Sequence, residues 1–124
     1  MKTEDLFWLA INAYHEARGE SDEGVIAVCH VVLNRCKKRK RSVLEVVLQP
    51  YQFSWANDDN RPPVKEYDAF IRCMLLAERA AQEDAQGKTL SNADHYFADY
   101  ITPPVWAKEM AKITKIGKHT FYRA

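Results

Sequence analysis

Gly24-Val25-Ile26-Ala27-Val28-Cys29-His30-Val31-Val32-Leu33-Asn34-Arg35 is the stretch that decides the fold. Val25, Val28, Cys29 and Val32 recur at helical spacing, and Cys36 continues the row. Ile26, Val31 and Leu33 widen it until little of the circumference is polar, so the spacing predicts a helix buried nearly all round. Ser21 or Asp22 can cap its start. The basic residues beyond Arg35 suit the negative end of its dipole. Its apolar runs, like Val46–Leu48 later on, fall far short of the roughly 20 residues that a membrane span needs.

A helix of this kind needs partners. Upstream, Leu6, Leu9, Ala10, Ala13 and Ala17 form a second stripe flanked by Phe7, Ile11 and Tyr14, with Thr3 the expected N-cap and Gly19 the expected stop. Downstream, Ser42-Val43-Leu44-Glu45 is a capping-box pattern for a short helix closed by Gln49-Pro50. A long helix is expected from about Lys65 to Gln86, with Tyr67, Phe70, Ile71, Met74, Leu75, Glu78 and Ala81 in its pattern and Gly87 beyond its end. His95-Tyr96-Phe97 and Thr120-Phe121-Tyr122 read as strands, and Pro103-Pro104 precedes a short helix carrying Trp106 and Met110. The expected class is α+β, mostly helical, with a small late β element. At 124 residues this is one domain, 1–124, and the turn-rich Asn57–Pro63 stretch is a loop within it, since neither side alone builds a stable core.

Composition excludes several classes. With 47% hydrophobic and 28% charged residues, global disorder is ruled out. The net charge is +1, yet Arg35, Lys37, Lys38, Arg39, Lys40 and Arg41 concentrate six of the eighteen basic residues, leaving twelve against seventeen acidic ones. A global pull toward nucleic acid is therefore absent, and only a local polyanion-binding run, Arg35–Arg41, stands as a rival to an enzymatic reading. Cys29, Cys36 and Cys73 contain no C-x-x-C pair. Cys29 and Cys36 would lie about 10 Å apart along one helix, beyond disulfide reach.

Glu16 is the most informative position. It continues the first helix's apolar stripe, where a carboxylate resists ionisation and its pKa rises, as a general acid near neutral pH requires. A helix-end glutamate satisfied by the next helix's N–H groups is the alternative that spacing leaves open. Glu20 follows one turn later. His15-Glu16 does not extend to H-E-x-x-H because position 19 is glycine, and His30, His95 and His119 lack ligand spacing, so neither a metal nor a cofactor is expected. Asn57-Asp58-Asp59-Asn60 resembles a calcium loop in composition only. Tyr51, Phe53, Trp55, Tyr96, Tyr100, Trp106, Phe121 and Tyr122 stand mostly in loops or strands beside polar groups such as Gln52, Ser54 and His95. That mixture suits sugar rings, which stack on aromatic faces while their hydroxyls hydrogen-bond, although core packing claims many of these residues.

Tyr14-His15-Glu16-Ala17-Arg18-Gly19-Glu20-Ser21, with Leu33-Asn34-Arg35, Gln52-Phe53-Ser54-Trp55, Pro103-Pro104-Val105-Trp106 and Gly117-Lys118-His119-Thr120-Phe121-Tyr122, resembles the spore-cortex-lytic type of cell wall hydrolase. The likeness runs in order from about Leu6 to Tyr122. It implies a lysozyme-like domain that cleaves peptidoglycan glycan strands between N-acetylmuramic acid and N-acetylglucosamine, often as a lytic transglycosylase leaving 1,6-anhydromuramic ends. It also implies that Glu16 is the catalytic acid. The candidate catalytic pair is Glu16 and Glu20, with Glu20 expected to orient or bind; a hydrolytic muramidase using both carboxylates is the alternative. The candidate substrate-binding set is Gln52, Ser54, Trp55, His95, Tyr96, His119 and Tyr122, of which Trp55 and Tyr96 are expected in a groove. Two departures stand out: His15 replaces a frequent glycine, and the basic stretch between Arg35 and Ser42 has no counterpart in the family pattern. Lys37–Arg41 is an expected contact for anionic wall polymers or lipid headgroups; nucleic acid is not expected, and a monomer is. The N-terminal stretch from Met1 through Glu16 lacks the features of a secretory signal, so the expectation is a phage-type lysis protein, made in the cytoplasm and acting on the wall after release.

Overall fold

The computed structural model describes residues 1–49, 52–57 and 61–124. Its helices are α1 (Thr3–Ala17), α2 (Asp22–Arg39), α3 (Val43–Leu48) and α4 (Tyr67–Ala85), and its strands β1 (His95–Ala98), β2 (Ala111–Ile116) and β3 (His119–Arg123). Short 3-10 turns occupy Ser54–Ala56 and Val105–Lys108. The α+β class is as expected.

Helix α2 is the axis of the molecule. Every residue from Gly24 to Arg35 is buried, as its pattern requires. Ser21 caps it by accepting the Gly24 N–H, and Lys40 ends it in the left-handed region at φ 53°. Helices α1, α3 and α4 and strand β1 all pack against it. Tyr14 ties α1 to α4, because its hydroxyl accepts the N–H groups of Lys65 and Glu66 at 3.2 and 3.1 Å and so serves a helix start with no side-chain cap of its own. The capping box of α3 is complete, Ser42 and Glu45 each serving the other's backbone N–H.

Four expectations are corrected. Lys2, not Thr3, holds the N-cap of α1, and no side chain bonds there. Helix α4 buries Cys73, Leu76, Ala77 and Ala80, whereas Tyr67, Ile71 and Leu75 face outward. Small residues win that interface because they let the helix backbone approach its neighbours closely. The helix expected to carry Trp106 and Met110 is a single 3-10 turn that ends before Met110. Strand β2 then follows where none was expected. Its lysines and a register irregularity between Lys112 and Thr114 interrupt the alternation that marks a strand.

The sheet order is β1-β3-β2, antiparallel throughout. Central β3 places Phe121 in the core and carries His119 and Tyr122 beside β1. Cys29 and Cys73 are buried, and burial pushes their thiols above the ordinary range, so they behave as small hydrophobes.

Candidate active site

A cleft of about 790 Å³ opens between the end of α1 and the sheet. Helix α1 contributes His15 and Glu16, α2 contributes Arg35, and the 3-10 turn after α3 contributes Ser54 and Trp55, with Gln52 just ahead of it. His95 and Tyr96 enter from β1 and His119 from β3, with Trp106 beyond. The volume lies in the ordinary range for a ligand site.

Among the described residues Glu16 is the only carboxylate lining this cleft. The hydroxyl of Tyr96 donates to Glu16 Oε1 at 2.5 Å. Burial pushes the Glu16 carboxyl above its ordinary range, opposed by the Tyr96 hydrogen bond and the nearby Arg35 guanidinium. Burial, with the charge of Glu16 beside it, also keeps the Tyr96 phenol protonated far above neutral pH. The site therefore holds an acid reluctant to ionise and a donor that stays protonated.

Glu20 is placed differently. It lies in a second hollow of about 330 Å³ that meets the cleft at His15, Glu16, Tyr100 and His119. Its Oε1 accepts the Lys118 N–H at 2.8 Å and faces His119 Nδ1 at 3.0 Å. Gly117 completes the turn at φ 56°, and a Cβ there would stand 2.8 Å from Glu20 Oε2. Only glycine fits both the backbone and the carboxylate.

The structure brings Gln52, Ser54, Trp55, His95, Tyr96 and His119 together around Glu16. It does not bring Tyr122 there. That ring stacks on Phe97 at 5.6 Å and meets Trp106 edge-on at 5.4 Å, a supporting layer behind the wall. Trp55 is fixed from below, its Nε1 donating to buried Asn12 Oδ1 at 2.9 Å, and its face is covered by the stacked His15 ring at 4.7 Å. Burial, with Arg18 nearby, lowers the His15 pKa, so this ring charges only at a pH below the ordinary histidine range. Asp58, Asp59 and Asn60 of the calcium-like stretch lie outside the described residues.

Arg35 is the residue that sequence reasoning misplaced. Grouped with an exposed basic run, it is instead 5% exposed, its guanidinium over the Phe53 ring and its Nε donating to the Asp94 carbonyl at 2.6 Å. Asp94 then supports the wall: burial would raise its pKa, but hydrogen bonds from His95, Lys38 and the Ala124 N–H hold it at about 2. The Leu33-Asn34-Arg35 block was the available signal, since it belongs to the buried helix and not to the run behind it. In that run Lys37 pairs with Asp84, Lys38 with Asp94, Arg41 with Glu45, and Arg39 donates to Gln49.

Comparison with known proteins agrees with this outline. A family model described as Cell Wall Hydrolase matches residues 19–122, starting just past Glu16. The spore cortex-lytic enzyme of Bacillus subtilis (strain 168) is 32% identical over 121 residues, covering 94% of this chain and 37% of that protein. That of Halalkalibacterium halodurans is 29% identical over 120 residues, covering 94% and 34%. The chain thus spans little more than a third of the length of these relatives. Two solved structures are similar along nearly the whole chain. The catalytic domain of the germination-specific lytic transglycosylase SleB from Bacillus anthracis has a TM-score of 0.75 at 26% identity, covering 99% of this chain and 97% of that one. The catalytic domain of Bacillus cereus SleB has a TM-score of 0.79 at 27% identity, covering 99% and 92%. A domain with this fold, matched by the family model across most of its length, belongs to the cell wall hydrolase family.

Proposed function

We propose that this domain cleaves the glycan strands of peptidoglycan between N-acetylmuramic acid and N-acetylglucosamine as a lytic transglycosylase, with Glu16 as acid and then base. The observation that carries the reading is the one carboxylate that lines the cleft among the described residues. Glu16 stands there alone among the described residues, held toward its protonated form by burial, while Glu20 is committed to the Gly117-Lys118-His119 turn.

Protonated Glu16 donates to the glycosidic oxygen as the C1–O bond of the muramic acid breaks and positive charge develops at C1. The muramic acid 6-hydroxyl then attacks C1, and its proton passes to the Glu16 carboxylate. The acid is regenerated, the products are a 1,6-anhydromuramic end and a free N-acetylglucosamine 4-hydroxyl, and no water is consumed. A hydrolase instead needs a second carboxylate across the sugar, at about 5–5.5 Å for retention or 6.5–9.5 Å for inversion. Tyr96 and Trp106 line the cleft and offer rings for the sugar faces, His15 covers the Trp55 ring, and Gln52 and Ser54 add polar groups to the lining. The wall lies outside the cell membrane, so the enzyme acts after export or release.

Mass spectrometry of products from purified peptidoglycan tests the chemistry. Anhydromuramic ends, lighter by one water than reducing ends, are expected; reducing muramic acid as the only product would return Glu20 to the role of second carboxylate. Glu16→Gln fills the same volume without an acidic proton and is expected to lose at least about 100-fold in turnover, the low end of what a positioned acid contributes. A Glu16→Gln protein with near-normal turnover overturns the assignment. Neutralising Lys37, Lys40 and Arg41, while keeping Lys38 on Asp94 and Arg39 on Gln52, should leave turnover on soluble glycan strands unchanged; loss of lysis through that variant alone, with Glu16→Gln active, would favour the polyanion-binding reading.

A further inference from the structure

The second glutamate of the Glu16-Ala17-Arg18-Gly19-Glu20 segment has no step in the transglycosylase reaction, yet it is among the most firmly held side chains around the cleft. Its side chain is 12% exposed, and both of its hydrogen bonds converge on one oxygen, Oε1. The partner His119 is 6% exposed and meets the Tyr96 ring edge-to-face, centroids 5.2 Å apart at 88°. Tyr96 in turn rests on Phe121 at 5.7 Å and donates its hydroxyl to Glu16. A continuous line of contacts thus leaves the turn between α1 and α2 at Glu20, passes through β3 and β1, and returns to α1 at Glu16.

We infer that Glu20, His119 and Tyr96 form a positioning chain that holds the Glu16 carboxyl group at the cleft, with Tyr96 the donor that receives the carboxylate once its proton has gone to the glycosidic oxygen. The inference rests on the proposed role of Glu16. Without the chain, a carboxylate one residue from the helix end could turn toward solvent. Tyr96 leaves one oxygen of Glu16 engaged and the other for the substrate. Glu20 acts only through His119 and the turn, so it needs an oxygen acceptor and not a negative charge.

Among the described residues, the titratable or charged groups sharing the cleft with Glu16 are His15 from its own helix, Arg35 from α2, His95 and Tyr96 from β1, Tyr100 just beyond β1 and His119 from β3; the segment from Gln52 to Asn57 brings no titratable side chain. Burial lowers the pKa of all three histidines, and Arg35 is present in every variant below. A displacement of the basic limb on removing one phenol hydroxyl is therefore assignable to that hydroxyl.

The experiment is a set of pH–rate profiles at fixed ionic strength on one peptidoglycan preparation, for wild type, Tyr96→Phe, Glu20→Gln and Glu20→Ala, with thermal unfolding alongside. Tyr96→Phe keeps the ring and loses the donor. Its basic limb should move up by about one pH unit, since a hydrogen bond to a charged group no longer favours ionised Glu16. Its kcat should fall about tenfold or more with KM little changed. Glu20→Gln retains an amide oxygen for Lys118 N–H and His119 and should keep kcat within a few-fold, whereas Glu20→Ala should lose about tenfold or more. A Tyr96→Phe profile superimposable on wild type overturns the inference, as does equal loss in Glu20→Gln and Glu20→Ala. Neither result touches the role of Glu16, which fails only if Glu16→Gln is active.

Discussion

A carboxyl group whose folded pKa is raised by burial costs stability at pH values above its unfolded one, and Glu16 is such a group. Its folded pKa is raised, by burial first, so across the window from the unfolded value to the raised folded value the native state binds more protons. Stability from this group is full below the unfolded value, about 4.3, and falls as pH rises through the folded one. Glu16→Gln, whose amide oxygen can still accept from Tyr96, should therefore unfold at a higher temperature than wild type at pH 7, with the gap closing near pH 4. Thermal unfolding of both proteins at the two pH values checks it; equal melting temperatures at pH 7 would mean that the site does not strain its acid. Glu16 was legible because a carboxylate on an apolar stripe conflicts with its surroundings. Arg35 was misread because it both ends the buried Leu33-Asn34-Arg35 block and opens a run of cations, while the groups that hold it, the Phe53 ring and the Asp94 carbonyl 59 residues away, come from other parts of the chain. His15, where the chain departs from the family pattern, is a ring lying on Trp55.

At the scale of elements, the turn between β2 and β3 is where backbone and chemistry meet. Gly117 and Gly87 both have positive φ, at 56° and 72°, but a Cβ at Gly87 would touch nothing within 4 Å, whereas one at Gly117 would press on the Glu20 carboxylate. Gly87→Ala should cost only the conformational penalty, about 1–2 kcal/mol, and leave kcat intact. Gly117→Ala should cost more and lower kcat as Glu20→Ala does, read by chemical denaturation together with a rate assay. The short α3 offers a control away from the cleft: Ser42→Ala breaks the capping box and should cost about 1 kcal/mol without affecting turnover. The existence and order of helices α1 to α4 could be read from periodicity and caps. The face of α4 could not. Tyr67, Ile71 and Leu75 are 73%, 57% and 64% exposed although they satisfy a helical repeat. Periodicity weighs large apolar side chains, while packing against α1 and α2 chose Cys73, Ala77 and Ala80.

Across the whole molecule, burial lowers the pKa of all four histidines, His15, His30, His95 and His119. For a depressed histidine the unfolded chain binds more protons, so stability is full above about pH 6.5 and declines as pH falls toward each folded value. Asp94, held at about 2, adds a second decline between its unfolded value, about 3.9, and that figure. Unfolding free energy measured from pH 8 to pH 2 should fall in these two stages, against the opposite trend from Glu16. A flat curve between pH 7 and pH 5 would show that the histidines are not desolvated as their burial requires.

The hydrogen bond between Tyr96 and Glu16 joins residues 80 positions apart, and the one between Lys118 and Glu20 joins residues 98 apart. At roughly 5–20 residues per second, the ribosome needs several seconds after making the acid before the groups that aim it exist. Helices α1 and α2 can pack during that interval, yet the cleft still lacks the wall that β1 and β3 provide. Under the proposed function, activity is thus a property the growing chain acquires late, and fragments released early carry Glu16 without the groups that aim it.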